Sequence, residues 1–480
     1  MVNPDLNLEG NLLVTGDGVL YLRDNPEQGA ALYNGPASVN VDDFTIAAGG
    51  TLALELPSSP TGSTAASPTL VHQTIVANTA DITGAKLVIR PSSSNGLYAN
   101  EYYYNNVISA DVGTGTFASA SSGSIFLDLS VIYNGADGVW GDAVAGDNID
   151  LGLKRVKFND ARFGLTPNQL AAGGGLESVY SPSLTGPFAT MLADIFTQDA
   201  AAYRSSLSNL HGAQYATYLQ SLGWMGNRFN GVLSDMGECA ALKLDDSSLT
   251  CRRESAGIWA TVNYGQENIS SDTTADATGY ESDQWLAALG VDFPVTENFV
   301  LGIGGGYIKN QGDFDWYGGS MDADGFQVGV YGAYDPGQFY AKAAVSYSDL
   351  SGKSSRTATV GNITGVVTAS PDANIWAVGG ELGYRFDLGG ATVTPYAGLD
   401  YVSAKLQGFE EGGSFAGRLT VNDATDDFLT SELGLKLSGK LGGLVPEVKA
   451  GWRHEFNDQP ASFTAFYQLQ PGSAFEVISP

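Results

Sequence analysis

Between residues 257 and 456 apolar positions alternate with small or polar ones. Trp285, Ala287, Leu289, Val291 and Phe293 share one parity, and Ala288, Gly290 and Asp292 the other. The same alternation returns in Phe326, Val328 and Val330, and in Phe339, Ala341, Ala343, Val345 and Tyr347. A period of two predicts strands, because successive side chains leave opposite faces of the pleat. Many such segments of about ten residues, with aromatic ends, predict a transmembrane antiparallel β-barrel rather than a soluble sandwich.

The predicted strands are 258–265, 282–293, 299–313, 325–334, 338–350, 375–386, 392–403, 428–439 and 445–456, with 462–469 as a tenth. Their connections fall into two kinds. Those at 295–298, 335–337, 387–390 and 441–443 are tight, whereas 266–281, 314–324, 351–374 and 404–427 are long and polar. Short turns at one end and long loops at the other are the asymmetry of an outer-membrane barrel. Aromatic residues at strand ends (Trp285, Phe293, Phe299, Tyr334, Phe339, Phe386, Tyr401, Trp452 and Phe456) fit two interfacial girdles. A sandwich core would instead spread them along the strands.

The first third of the chain shows a different pattern. Short apolar runs such as Leu12-Leu13-Val14, Val19 to Leu22, Leu52 to Leu56, Ala85 to Ile89, Ile125 to Leu129 and Ile149 to Leu153 lie among Gly, Asn and Asp. They predict a parallel β-solenoid, each coil burying its apolar face on the next. Their spacing is too irregular for a sequence repeat, so a sandwich stays open as the alternative. A helical period then follows. Thr166-Pro167 offers an N-cap with Pro at the first helical position, and Gly173-Gly174-Gly175 is expected to stop that helix. Residues 184–210 are helical in spacing, and 211–236 form one amphipathic helix frayed by Gly223 and Gly226.

Lys and Arg number 23 against 52 Asp and Glu, a net charge of −29. This balance excludes nucleic acid, since little is available to neutralise phosphates. Cys239 and Cys251 are the only cysteines. They could close a small loop in an oxidising compartment or stay as two thiols, and their spacing suits no zinc site. His72, His211 and His454 are the only histidines, and no G-x-S-x-G motif is present. His72 reads as a solenoid side chain, and the other two fall in the helical block and near a strand end. No catalytic site, cofactor or metal is expected, and the chain does not read as an enzyme. Residues 1–10 lack the basic start and apolar core of a secretory signal, and no apolar run is long enough for a transmembrane helix.

Charges inside the barrel segment sort by parity. If Leu429, Leu433, Leu435 and Leu437 meet lipid, Glu432 and Lys436 point inward. The same parity sends Glu381, Arg385, Asp400, Glu447, Lys449 and Arg453 to the lumen. A lipid-facing Arg or Lys at midplane costs about 2–4 kcal/mol, so the inward choice is favoured. Such charges either hold a lumen helix and line a polar conduit, or simply neutralise one another.

Several blocks, in order, carry a family resemblance. Asp42-Asp43-Phe44-Thr45-Ile46-Ala47-Ala48-Gly49-Gly50-Thr51-Leu52-Ala53-Leu54 resembles the last coils of a secreted solenoid. Thr166 with Asn168-Gln169 resembles the segment after it. Leu207-Ser208-Asn209-Leu210-His211-Gly212-Ala213-Gln214-Tyr215-Ala216 is similar to the block before a linker helix, and Gly257-Ile258-Trp259-Ala260-Thr261 to the start of a first barrel strand. Together they resemble the C-terminal region of the autotransporters, the type V secretion system. That resemblance implies a passenger solenoid ending at 1–160, a helical linker at 161–253 containing the lumen helix 211–236, and a barrel at 254–480. It implies twelve strands, of which about ten are legible here, and a terminal aromatic residue read by the outer-membrane insertion machinery. The chain stops at Ser479-Pro480 instead. It therefore reads as a fragment truncated at both ends.

The function so implied is an outer-membrane translocator that anchors, exports and displays its own N-terminal passenger on a Gram-negative cell. Its expected partners are outer-membrane lipid, the insertion machinery and the passenger itself. A surface adhesin, whose solenoid binds an external ligand while the barrel only anchors it, is the alternative. A general diffusion porin, with an open lumen, is a third.

Overall fold

The computed structural model describes residues 6–22, 38–68, 70, 72–135, 137–142, 144–241, 255–439, 446–457 and 459–480. The chain divides into two compact units, Met1–Gly164 with Leu176–Ser206 and Val360–Ile363, and Leu165–Gly175 with Leu207–Thr359 and Thr364–Pro480.

In the first unit the short apolar runs form a parallel solenoid. On one stack, Val39 lies beside Ile75 and Ile75 beside Ile108. On the other, Leu52 lies beside Leu87 and Leu87 beside Ala120. Parallel in-register pairing stacks like on like, so Phe44, Ile75, Leu52, Leu54, Leu87 and Ile89 fill one continuous buried core. The sandwich alternative is thereby set aside. Three strands missing from the sequence reading, Ser38–Ile46, Thr74–Asp81 and Glu101–Thr114, carry most of one stack. Beyond the last coil the pairing turns antiparallel, with Asp147–Arg155 between Glu101–Thr114 and Leu127–Asn134. An aromatic cluster of Phe126, Phe158, Phe163, Phe196 and Tyr203 packs beside it. The Arg155–Glu177 ion pair at 2.6 Å lies next to Phe158 and Tyr180.

Among the described residues four α-helices follow: α1 (Pro167–Val179), α2 (Pro187–Ile195), α3 (Ala200–Leu210) and α4 (Gln214–Ala241). The glycines at 173–175 do not stop α1. A Cβ at Gly175 would stand 2.6 Å from the Phe475 ring and 2.8 Å from the Ser473 carbonyl, so close packing explains that glycine and overrides its poor helix propensity. Nor do Gly223 and Gly226 fray α4, which starts later and ends later than the 211–236 reading.

The second unit is built on an antiparallel meander of nine long strands: Gly257–Ile269, Tyr280–Thr296, Phe299–Phe314, Gly319–Tyr334, Phe339–Val360, Ala373–Tyr384, Ala391–Leu406, Ala424–Gly439 and Glu447–Glu455. Each pairs with the next in the chain. The sheet curls around α4, which touches its first strand as well as its eighth. Several strands outrun their predicted ends. The connection expected at 314–324 is mostly strand, and the one at 351–374 is largely a hairpin of Phe339–Val360 with Ile363–Ala369. Beyond Leu350 the buried positions of this strand include the polar Ser354 and Arg356 and the exposed ones are polar too, so the apolar–polar alternation that marks the spanning part disappears from the sequence. The tenth candidate strand, 462–469, does not join this sheet. Ser462–Tyr467 pairs with Leu419–Val421 and Phe475–Ile478 in a small separate sheet.

Face and burial follow the alternation. Trp285, Leu289, Phe293, Val328, Val330, Leu433, Leu435 and Leu437 are exposed on the outer side. Ser282, Gln284, Asn310, Gln327, Ser346, Thr394 and Thr430 are buried on the inner side. The outer aromatics sit at two levels. Trp285 and Phe293, Tyr307 and Phe299, Phe326 and Tyr334, Tyr347 and Phe339, and Trp376 and Tyr384 are each eight residues apart on their own strands. At about 3.4 Å per residue and a tilt near 40°, that spacing gives a band roughly 20 Å tall, close to the height of an outer-membrane apolar belt.

Candidate functional site: the helix inside the barrel

Helix α4 has 28 residues and therefore runs about 42 Å at 1.5 Å per residue, longer than the band it crosses. Its start lies at the long-loop end, where Thr217 Oγ1 donates to the Thr278 carbonyl at 2.8 Å. Its end lies by the short turns, where Ala240 and Ala241 pack on Val300 and Ala333. Leu219, Leu222, Met225, Phe229 and Leu233 are all buried against the wall. Small residues let the surfaces meet. A Cβ on Gly226 would stand 2.7 Å from Ile375 Cγ2, and one on Gly329 of the wall 2.4 Å from Leu233 Cδ1.

Near its C-terminal end α4 carries Asp235 and Glu238, three residues apart and so on neighbouring positions of one face. Carboxylates there oppose the negative end of the helix dipole, and the wall answers with lysines. Lys342 Nζ donates to Asp235 Oδ1 and to Glu238 Oε2, both at 2.7 Å, with its side chain only 6% exposed. Lys436 Nζ lies 2.7 Å from Glu381 Oε1 and 3.3 Å from Glu238 Oε1. Lys449 pairs with Glu432 at 3.1 Å and Glu381 at 3.4 Å. Tyr340 OH donates to Glu381 at 2.5 Å, and Tyr396 OH donates to Glu432. Arg385 pairs with Asp335 at 2.8 Å instead of joining this group.

The structure thus gathers Glu381, Glu432, Lys436 and Lys449 in one network. Asp400 and Arg453 line a polar cavity of about 430 Å³ between α4 and the wall, beside Arg228 and Asn230. Glu447 is in register with Ser438 and stays exposed. Cys239 sits in the last turn of α4 and is not a free thiol, while Cys251 lies outside the described residues.

Three groups central to this geometry were absent from the sequence reading. Lys342 had a usable signal, because it alternates with Ala341 and Ala343 on a recognised strand. Asp235 and Glu238 had none, since exposed acids on an amphipathic helix are commonplace. The third group is at the opposite end. Arg356 is buried with Glu411 at 3.1 Å and donates to the Asn209 carbonyl at 2.7 Å, while Tyr215 OH donates to Glu411 at 2.8 Å. Nearby, Asp276 Oδ2 accepts from Ser208 Oγ at 2.5 Å and Gln169 Nε2 at 3.2 Å, and it lies 2.9 Å from His211 Nε2. Asp276 Oδ1 accepts from Tyr317 OH at 2.6 Å. Burial alone would raise Asp276, but the hydrogen bonds from His211, Ser208 and Tyr317 outweigh it and hold the carboxyl at about 2. Complete burial pushes His211 below the usual imidazole range. Ser208 and His211 both turn to the same carboxylate, so they do not form a nucleophile and its base. His72 is packed edge-on against Tyr104, and His454 between Trp452 and Phe456.

Residues 258–480 match the family described as Autotransporter beta-domain. The chain is 23% identical over 312 residues to Outer membrane protein B of Rickettsia typhi, covering 57% of this chain and 18% of that protein. It is 21% identical over 240 residues to Esterase EstA of Pseudomonas aeruginosa, covering 47% of this chain and 36% of that protein. The chain therefore spans less than a fifth of the length of the first relative and about a third of the second. Among solved structures it is similar to the translocator domain of autotransporter NalP from Neisseria meningitidis, at 19% identity and a TM-score of 0.42, covering 53% of this chain and 87% of that one.

Proposed function

Residues 258–480 belong to the autotransporter β-domain family, and from that premise we propose that this barrel exports and displays the polypeptide N-terminal to it. Its place is the outer membrane of a Gram-negative cell, where it acts as translocator and anchor. The observation that carries the proposal is α4. A helix threaded through the lumen precedes the first barrel strand in the chain, and its start lies at the long-loop end, so the chain before it enters the barrel from that end. An ordinary diffusion pore has no need of such a filling, and a buried ion network tying helix to wall gives it a fixed resting position.

In this reading the division is passenger end at 1–160, linker at 161–253 and barrel at 254–480. The passenger threads the lumen as a hairpin, and folding of successive solenoid coils outside disfavours return. Helix α4 then fills the pore, with Lys342 holding Asp235 and Glu238, Lys436 holding Glu238, and Glu381 of the wall bridging the two lysines. The outer-membrane insertion machinery is the proposed assembly partner, and outer-membrane lipid covers the exposed Leu, Val and aromatic band. Nothing in this role calls for catalysis. Protease added to intact cells expressing the complete gene product tests the proposal: the solenoid should be digested from outside. A solenoid fully protected until the cells are lysed would overturn it. Conductance in planar bilayers, low with α4 and high after its deletion, separates a filled translocator from an open porin.

A further inference from the structure

We infer that His211 and Asp276 form an acid-released catch that fastens the start of the lumen helix to the 270–279 loop. The inference rests on the reading of α4 as the occupant of the pore. His211 is wholly buried, and its two ring nitrogens are engaged in opposite senses. The Ala213 N–H donates to Nδ1 at 3.0 Å, and Nε2 lies 2.9 Å from Asp276 Oδ2. A backbone amide can only donate, so Nδ1 must offer its lone pair and the single ring proton must sit on Nε2. A second proton could go only to Nδ1, where it would face the Ala213 N–H directly. The closed catch and the imidazolium are therefore incompatible.

Asp276 is the hub of this end of the unit. Besides Ser208, Gln169 and Tyr317, its backbone carbonyl receives Asn168 Nδ2 at 3.4 Å, and Asn168 also exchanges hydrogen bonds with Ile478 at 3.0 Å. Asp276 and Tyr317 both hold positive φ, 59° and 64°, a conformation that residues other than glycine adopt under strain. Two loops thus spend strain to aim these two side chains at one point. The charged and titratable groups facing His211 are few. Asp276 favours a cation there and Arg356 opposes it, while Arg356 itself is held by Glu411 and Tyr215. Tyr317 packs edge-on against the ring at 5.9 Å. α1 and α3 contribute only the neutral Gln169 and Ser208.

Burial lowers the His211 pKa in the closed state. Once the catch opens, the ring regains an ordinary value near 6.5. Below about pH 6.5 the open form binds a proton that the closed form refuses, so opening increases by up to tenfold per pH unit. Between pH 7.5 and pH 5 the limit is about thirty-fold.

Amide hydrogen exchange over residues 213–222 of the full chain in liposomes tests this, at pH 7.5 and pH 5 with intrinsic rates divided out. Opening in the natural chain should rise by up to about thirty-fold at pH 5. His211→Gln, which cannot become charged, should show no rise. Unchanged protection in the natural chain, or an equal rise in His211→Gln, would overturn the catch. If His211→Gln does not fold, Asp276→Asn serves instead. It should open more at pH 7.5 while keeping the onset near 6.5, because that onset belongs to the released ring; loss or displacement of the onset counts against the idea. Helix amides exchanging freely at both pH values would refute the lumen-helix reading itself, whereas protected, pH-insensitive amides would refute only the catch.

Discussion

Leu233 of the lumen helix lies directly over Gly329 of the barrel wall, where a Cβ would stand 2.4 Å from its Cδ1 and 2.7 Å from the Val345 carbonyl. One neighbour is a movable side chain, but the other is backbone. Gly329→Val should therefore destabilise the folded barrel by about 1–3 kcal/mol through overpacking. Urea unfolding in detergent, followed by tryptophan fluorescence, would show a lower midpoint; an unchanged midpoint would mean the helix can shift away from the wall.

Lys342 bonds both helix carboxylates, Asp235 and Glu238. Lys342→Met leaves Glu238 with only the longer Lys436 contact at 3.3 Å and should cost about 1.5–3 kcal/mol, the range for a lost hydrogen bond to a charged group. Replacing Glu238 by Gln in the same chain should recover much of the loss, because the stranded charge is gone. A double-mutant cycle measures this, and purely additive effects would exclude the direct coupling.

Leu433 lies midway along the exposed outer face of the eighth strand. Leu433→Arg should lower folding stability in lipid by about 2–4 kcal/mol, and Arg at an inner position of the same strand, Thr430, should be limited by space rather than by hydrocarbon. Equilibrium folding into liposomes distinguishes them, since only the outer-face penalty should shrink when the substitution is moved to the aromatic level.

Asp276 is held at about 2, below its ordinary value near 3.8, with burial outweighed by hydrogen bonds. A lowered carboxyl stabilises the fold above its unfolded value, and the gain is lost as pH falls through the folded one. The stability of the natural chain should thus decline between about pH 4 and pH 2, in part through this group. Asp276→Asn should start lower at neutral pH and show a shallower decline across that window in thermal melts. Parallel curves for the two proteins would remove Asp276 from the acid response.

The barrel was legible because hydrocarbon imposes a strict rule on one face: Leu289 and Leu433 outside force Gly290 and Glu432 inside. That rule ends at the membrane surface. The extension of Phe339–Val360 beyond Leu350 went unrecognised for this reason, whereas Ser462–Tyr467 alternates legibly as a strand but belongs to a small separate sheet and not to the barrel. Glycine misled within helices, where a break was expected and none occurs. Gly226 reads locally as a weakness in a helix and is in fact where two surfaces come together. The solenoid was legible as a class but not as a register, since its coils repeat in space without repeating in sequence. His211 and Asp276 stand 65 residues apart, and no local signal joins them. Lys342, in contrast, needed only its parity to be noticed.

The eight-residue interval between aromatic levels recurs on five strands of different sequence. A β-strand, unlike a single helix, cannot lean independently to suit a thicker bilayer, because its neighbours fix its tilt. Any mismatch must fall on the lipid, which would be drawn thinner around the whole circumference. The protein thereby sets the thickness of the membrane patch that it occupies, and bilayers of longer acyl chains should slow its insertion in proportion to the excess height.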